Sequence, residues 1–429
     1  MKKNKIFLPI ILIGIVLLVC CSCNKKNNEN PPTPNNPNGV IKTDPKDITY
    51  TYNTSFDYKM IRKNHETHNN SNYMISPLSI AYALSVLKEG ASGNTKTEIE
   101  NALGNYSLPK IVNLKDRISL ANALFIKKNF SIKDSYVKNI KDNYNSDLIY
   151  DEFKTPKKIN DWVNNKTFGM IDKAVDEISP NFRLGIANAL AIDVEWLAKF
   201  ECNDTKKEEF NTPNGKMNTA MMHITDTVKY FETEKAKGII KNYQVYDSKT
   251  GEAKYLGDDG DIELEYIAIL PDDIDEYIRN LDEKELKNIK NNIKNDGYSN
   301  VEIRLGLPKY TYEYTYTDFQ KGLMDLGIKD AFNAASANFN NISNEDLYVE
   351  SSIHKSFIEL SENGTKAAAI TIFMMDSNAA PVQKKNLYIT FDKPFIYIIK
   401  DKNSDNIWFF GTVYEPIKWE DNKCETKAE

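Results

Sequence analysis

From Thr49 to Trp419 the chain runs without an internal repeat and without a second Pro- or Gly-rich linker. An unbroken stretch of that length reads as one large domain rather than two. Composition permits such a domain. Apolar residues make up 41%, aromatics 11% and charged residues 27%, which excludes a disordered, collagenous or multi-span membrane chain. Lys and Arg total 55 against 61 Asp and Glu, a net charge of −6, so the basic footprint of a nucleic-acid binder is missing.

Two segments precede this body. Lys2, Lys3 and Lys5 form a positive start, and Ile6 to Val19 is an apolar stretch too short to span a bilayer comfortably. Cys20, Cys21 and Cys23 follow, with the small residue Ser22 before Cys23. The pattern is similar to a bacterial lipoprotein signal over residues 1–22, with Cys23 as the lipid-bearing first residue of the mature chain and Cys21 as the alternative. It predicts an exported lipoprotein anchored at a membrane, at the cell surface or in the periplasm, or otherwise secreted. Removing the three lysines moves the net charge from −6 to −9. Residues 23–48 read as a solvated tether, because Asn24 to Asn38 holds seven Asn and four Pro. Cys202 and Cys424 are the remaining cysteines, and one central and one in the polar tail 420–429 do not read as a disulfide framework. Core packing is therefore expected to carry the stability.

Within the body, helices are predicted over Ser55–Lys63, Ile75–Leu87, Thr95–Leu103, Phe130–Tyr144 and Ile159–Ala174. Thr95 and Glu98 read as a capping box. Strands are predicted at Ile186–Ile192, Leu264–Leu270, Val301–Leu307 and Ser356–Leu360. A hairpin is read from Tyr388–Ile399 and Ile407–Tyr414 around a turn at Lys402–Asn406. Helices and strands without strict alternation argue for α+β.

Catalytic motifs are thin. Gly90-Ala91-Ser92-Gly93 has the wrong spacing for a nucleophile elbow, and no Gly-rich phosphate loop follows a strand. His65 and His68 would share a helix face as metal ligands do, yet no third ligand is near in sequence, so they read as a solvated helix end. Asp258, Asp259 and Asp261 lack the order of a calcium loop and read as a charged turn. No metal and no cofactor is expected.

The segment from Glu359 is of a different kind. It begins as a strand, then runs through Thr365, Ala367, Ala369, Thr371, Phe373 and Met375 on alternate positions, which one face of a strand would share. Small uncharged residues on that face suit entry into the middle of a sheet.

The ordered motifs of the body resemble the serpin family over residues 55 to 416. Asn72 to Ile80, with Leu87 and Gly90, resembles its second helix. Asn160, Trp162, Val163, Thr167 and Gly169 resemble a further helix and its exit. Ala187-Asn188-Ala189, with Trp196 and Phe200, resembles the central strand of its large sheet, although Asp193-Val194 replaces the usual Lys-Gly. Val301 to Tyr310 resembles another strand, with Gly306 an unusual small residue inside it, and Leu326-Gly327 and Phe332 follow. Phe391 to Phe395 and Phe410 to Val413 resemble the C-terminal hairpin. Glu362 to Ala369 resembles the hinge of the reactive-centre loop in inhibitory members.

The resemblance implies a single domain over residues 49–419 with a large central sheet A, two smaller sheets, eight or nine helices and an exposed reactive loop. It implies an inhibitor rather than an enzyme: a protease cuts the loop, forms an acyl-enzyme, and is trapped when the cut strand enters sheet A. It assigns Glu362, Gly364, Thr365, Ala367, Ala368 and Ala369 to the hinge. Ser76, Ser79, Asn188 and His354 fall to the shutter beneath the sheet. Counting from Glu362 places the reactive bond at Asn378–Ala379, with Ser377, Ala380 and Met375 as alternatives. The absence of Arg or Lys there points to elastase-, subtilisin- or papain-like partners, not trypsin-like ones. A monomer held to a membrane by its N-terminal lipid completes the expectation. A noninhibitory serpin serving as a carrier, and a secreted hydrolase, are the rival readings.

Overall fold

Helix α1 (Ser55–His65) leads through a short strand into α2 (Pro77–Gly90). Ser76 sits at the N-cap of α2 in extended conformation, its hydroxyl accepting from the Ser79 N–H, and Pro77 occupies the first turn where a missing N–H costs nothing. Residues Pro77 to Leu87 of α2 are all buried, so it is a central strut rather than a surface helix. It packs between the large sheet and the strand Ile407–Val413. The computed structural model describes residues 15–21, 55–68, 70–109, 113–226, 228–254, 257, 261–295, 301–365, 385–404 and 406–422, and for 15–21 the backbone pairing.

The large sheet contains eight strands. In chain order they are β1 (Ile15–Cys21), β2 (Ile118–Lys127), β3 (Asp147–Asp151), β4 (Phe182–Ile192), β5 (Val194–Glu195), β6 (Tyr310–Tyr316), β7 (Leu347–Ser361) and β8 (Gly364–Thr365). Their spatial order is β3-β2-β4-β1-β7-β8-β5, with β6 on the other side of β7. β2 runs antiparallel to β4 from Ile118 opposite Ile192 to Ile126 opposite Leu184. A six-stranded sheet holds the hairpin Phe395–Asp401 and Ile407–Val413, and a four-stranded sheet holds Val301–Pro308 beside Lys385–Thr390. A two-stranded ribbon and eight α-helices complete the described residues. The class is α+β, as the sequence predicts.

Several local expectations are revised. The third helix starts at Gly93 with Ser92 at its N-cap, so Thr95 lies inside it. Thr95 Oγ1 instead accepts from Asn338 N–H, and Glu98 Oε2 accepts from the N–H groups of Lys329 and Asp330. Distant backbone donors thus take the acceptors of the capping box. The helix expected to reach Ala174 ends at Lys166, because Phe168 and Gly169 adopt φ of 53° and 75°. The strand expected at Tyr388–Ile399 is two strands in two sheets, broken at Phe391–Pro394. His65 is 1% exposed, with Nδ1 3.1 Å from the Tyr73 hydroxyl and Nε2 3.2 Å from Asp275 Oδ1. It is a core histidine, not a solvated helix end. Among the described residues no His, Cys, Asp and Glu group could hold a metal. Asp258 and Asp259 lie outside the described residues, and Asp261 pairs with Lys254 at 3.0 Å. Cys202 is disulfide-bonded.

Candidate functional site: the strand slot of the large sheet

β4 and β7 are the two long central strands, and the space between them is filled in two places by different parts of the chain. At one end β1 pairs antiparallel with both, Ile15 to Cys20 opposite Asn188 to Phe182, and Val16 to Cys21 opposite Ile353 to Leu347. At the other end β8 stands between β7 and β5, with Thr365 opposite Leu360 and Val194, and Gly364 opposite Ser361 and Glu195. Between these two fillings, among the described residues, no strand separates Ala189–Ile192 from His354–Glu359. A cavity opens there, lined by both strands and by Ser76, Ser79, Thr167 and Thr365.

The mouth of the slot is built around residues 362–365, which the resemblance assigns to the hinge. Trp196 is fully buried and stacks on Tyr243 with ring centroids 4.5 Å apart, and Lys241 lies over the same indole. The Tyr243 hydroxyl is 2.6 Å from Thr365 Oγ1, so the first inserted side chain points inward and meets a polar partner. Burial holds the Tyr243 phenol far above its usual titration range, so it stays neutral. Gly364 has φ of 151°, and a Cβ there would sit 2.2 Å from the Val194 carbonyl oxygen. Only glycine permits β8 to lie this close to β5. Val194, a departure from the family pattern, is itself buried in the pairing. Backbone carbonyls of Glu362 and Asn363 accept from Phe200 and Trp196 N–H. The Glu362 side chain is buried, 2.9 Å from Lys309 Nζ, and accepts from Thr205 Oγ1 at 2.7 Å.

Beneath the slot, the four residues assigned to the shutter come together. His354 Nε2 accepts from Ser76 N–H at 3.0 Å and meets Ser356 Oγ at 3.3 Å. The Ser79 hydroxyl donates to Asn188 Oδ1. Asn188 Nδ2 donates to Asn122 Oδ1 at 2.8 Å, and Asn122 Nδ2 to the Tyr144 carbonyl at 2.9 Å. Burial alone drives His354 down to a pKa of about 3, so its ring is neutral and accepts at Nε2. Asn122 and Ser356 escaped the sequence reading. Asn122 is a lone amide in the apolar run of β2, and a buried amide must find partners. Next to His354, the Lys355 side chain is buried with no hydrogen-bond partner among the described residues, and desolvation drives it down to about 7, partly opposed by Glu313.

Gly306 has a similar local reason. A Cβ there would lie 3.0 Å from Thr390 Cγ2 and 3.3 Å from His223 Cε1, so the small residue leaves room for the flanking strands. Of the remaining assigned positions, Ala367, Ala368, Ala369, Met375, Ser377, Asn378, Ala379, Ala380 and Cys23 lie outside the described residues. Cys21 ends β1.

A large sheet whose two central strands part around a cavity, with a short strand end paired at one side of it and a buried polar cluster below, is the arrangement the described residues define. The family model for serpins, serine protease inhibitors, matches residues 51–416, and the chain belongs to the serpin family. An uncharacterised serpin-like protein of Thermococcus kodakarensis is 30% identical over 95% of this chain and 98% of its own length. The leukocyte elastase inhibitor of Xenopus tropicalis is 29% identical over 85% of this chain and 98% of its own. The native-state crystal structure of the thermophilic serpin tengpin superposes with a TM-score of 0.71 at 29% identity, covering 87% of this chain and 96% of that one.

Proposed function

We propose that this serpin is an irreversible suicide-substrate inhibitor of serine endopeptidases, with cysteine endopeptidases as the alternative target class. The observation that carries the reading is at Gly364 and Thr365, which pair as a strand beside a cavity where, among the described residues, no strand separates Ala189–Ile192 from His354–Glu359. Continuing the register of Thr365 opposite Leu360 would bring residues 366–371 opposite Glu359–His354. Ala367 and Ala369 would then share the inward face with Thr365. Methyl groups desolvate at little cost, whereas a charge on that face would cost several kcal/mol.

The chemistry follows. A target nucleophile attacks the carbonyl of the reactive bond, at Asn378–Ala379 or at the neighbouring Ser377, Ala380 or Met375. The acyl bond forms on the hinge side and the amine departs with the C-terminal side. The freed strand then zips into the slot, and the shutter bonds around Asn188 and His354 exchange partners as β4 and β7 part. Entry must outrun water's attack on the acyl bond. Deeper entry needs the part of the slot that β1 fills, so removal of residues 1–22 on export clears the path. Export, lipidation at Cys23 or Cys21, and tethering of the body at a membrane by residues 23–48 belong to the same proposal. Kinship with leukocyte elastase inhibitors supports elastase-like targets, and subtilisin- and papain-like enzymes fit the same loop.

The test uses the chain lacking residues 1–22, incubated with elastase, subtilisin, papain and trypsin. An SDS-stable adduct with one of the first three, and none with trypsin, is expected. Cleavage in the loop with no adduct to any enzyme would make the protein a substrate and overturn the reading.

A further inference from the structure

Two neighbouring residues of β7 carry buried donors with nothing to donate to. His354 is 1% exposed and Lys355 4%. Among the described residues neither His354 Nδ1 nor Lys355 Nζ has a hydrogen-bond partner. The neutral His354 ring accepts the Ser76 N–H at Nε2, so its own proton sits on Nδ1. Both orphaned groups therefore present hydrogen. Buried donors in a folded protein are normally matched, and two left over side by side call for an acceptor.

Both residues line the cavity between β4 and β7. Successive residues of a strand face opposite sides of its sheet, and this cavity is lined from both sides. Ser76 and Ser79 border it below, and Thr167 and Met170, just past the helix Lys157–Lys166, border it above. The charged groups around Lys355 are Glu313 on β6 and Lys173 and Asp176 past the same helix. Lys173 and Asp176 pair with each other at 2.5 Å. Glu313 lies opposite Phe357, two residues along β7 from Lys355. No carboxylate of the described residues takes a hydrogen bond from the amine.

Size narrows the choice of acceptor. The cavity volume is about 40 Å³, and at roughly 10–15 Å³ for each water-sized occupant it admits about three or four non-hydrogen atoms. Phosphate and sulfate are larger than that. A carboxylate offers two oxygens to two donors, and its short carbon end suits Ile171 and Leu190, which also line the space. We propose that this cavity is a binding site for a small monocarboxylate of the formate or acetate class, held by Lys355 and His354. The consequence rests on the proposed function. A ligand between Ala189–Ile192 and His354–Glu359 stands where residues 366–371 would pair, so it must leave before a cut loop can enter.

The test needs no protease, so its failure is distinct from a failure to form an adduct. Equilibrium dialysis of the full chain against isotope-labelled acetate, with ionic strength held constant by chloride, should find one saturable site per chain at about pH 6. Raising the pH to about 9 should weaken binding about tenfold or more, because desolvation brings Lys355 down to about 7 and the amine loses its charge across this range. Lys355→Met, which keeps a long unbranched side chain, should abolish the site. The absence of a saturable site at the lower pH, equal affinity at both pH values, or a site that persists in folded Lys355→Met would each overturn the proposal.

Discussion

Lys309 Nζ stands 2.9 Å from Glu362 Oε2, and both side chains are nearly excluded from water, at 7% and 10% exposure. The pair joins the start of β6 to the hinge at the point where the loop leaves β7. Taking away one partner strands the other charge in a dry site, at a cost of about 3 kcal/mol or more. Glu362→Gln should therefore lower the free energy of unfolding by about 3 kcal/mol. Adding Lys309→Met should recover part of that loss. Urea unfolding of the two single variants and the double variant checks both statements; equal stability of Glu362→Gln and the parent would mean the pair contributes nothing.

Thr365 is the first hinge side chain in the slot, 4% exposed, with its hydroxyl on Tyr243. Arginine there would need to bury its charge beneath Trp196 and Tyr243. Thr365→Arg is expected to leave cleavage by the target intact while reducing the SDS-stable adduct by more than about tenfold, the factor that each 1.4 kcal/mol of added barrier contributes. Quantifying adduct against cleaved product on one gel reads the ratio directly. Undiminished adduct would show that entry does not pass through this position.

Asp57 and His354 give the protein two opposed pH dependences. Burial raises the Asp57 carboxyl to about 8, against donation from Ile407 N–H, and lowers His354 to about 3. Between roughly pH 5 and 6.5 the folded state holds a proton on Asp57 that the unfolded state has lost, so this group's contribution falls as pH rises. In the same window the unfolded His354 binds a proton that the folded ring refuses, so its contribution rises with pH. The two slopes oppose each other. Asp57→Asn should leave stability increasing with pH across this range, and His354→Gln should leave it decreasing. Denaturation midpoints of the two variants at several pH values test the pair; parallel profiles would contradict it.

Gly364 tests the seating of the hinge. A methyl at this position meets backbone on three sides, Val194, Glu195 and Trp196. Gly364→Ala should push β8 out of the mouth, which fluorescence of the buried Trp196 should register as a change in quenching by solvent solutes. An unchanged spectrum and unchanged accessibility would place the loop elsewhere.

How much of this was legible before the structure depends on range. Ser76-Pro77 marks the start of α2 because cap and proline act within one turn. Thr95 and Glu98 misled because a capping box is a local pattern, and here acceptors on Thr95 and Glu98 are claimed by donors more than 200 residues away. His65 was misplaced for the same reason, since Asp275 and the packing of α1 close over it. Asn122, Ser356 and Lys309 carry no spacing that links them to the slot; only the sheet's register assembles them.

The central claim is that the intact protein holds a vacancy which its own cut loop fills. The most direct test compares the melting temperature of the chain lacking residues 1–22 before and after a single cut in the loop. Filling the slot adds a full set of strand hydrogen bonds and closes the cavity beside His354, so the cut protein should melt well above the intact one. A cut form that melts at or below the temperature of the intact form would contradict the account.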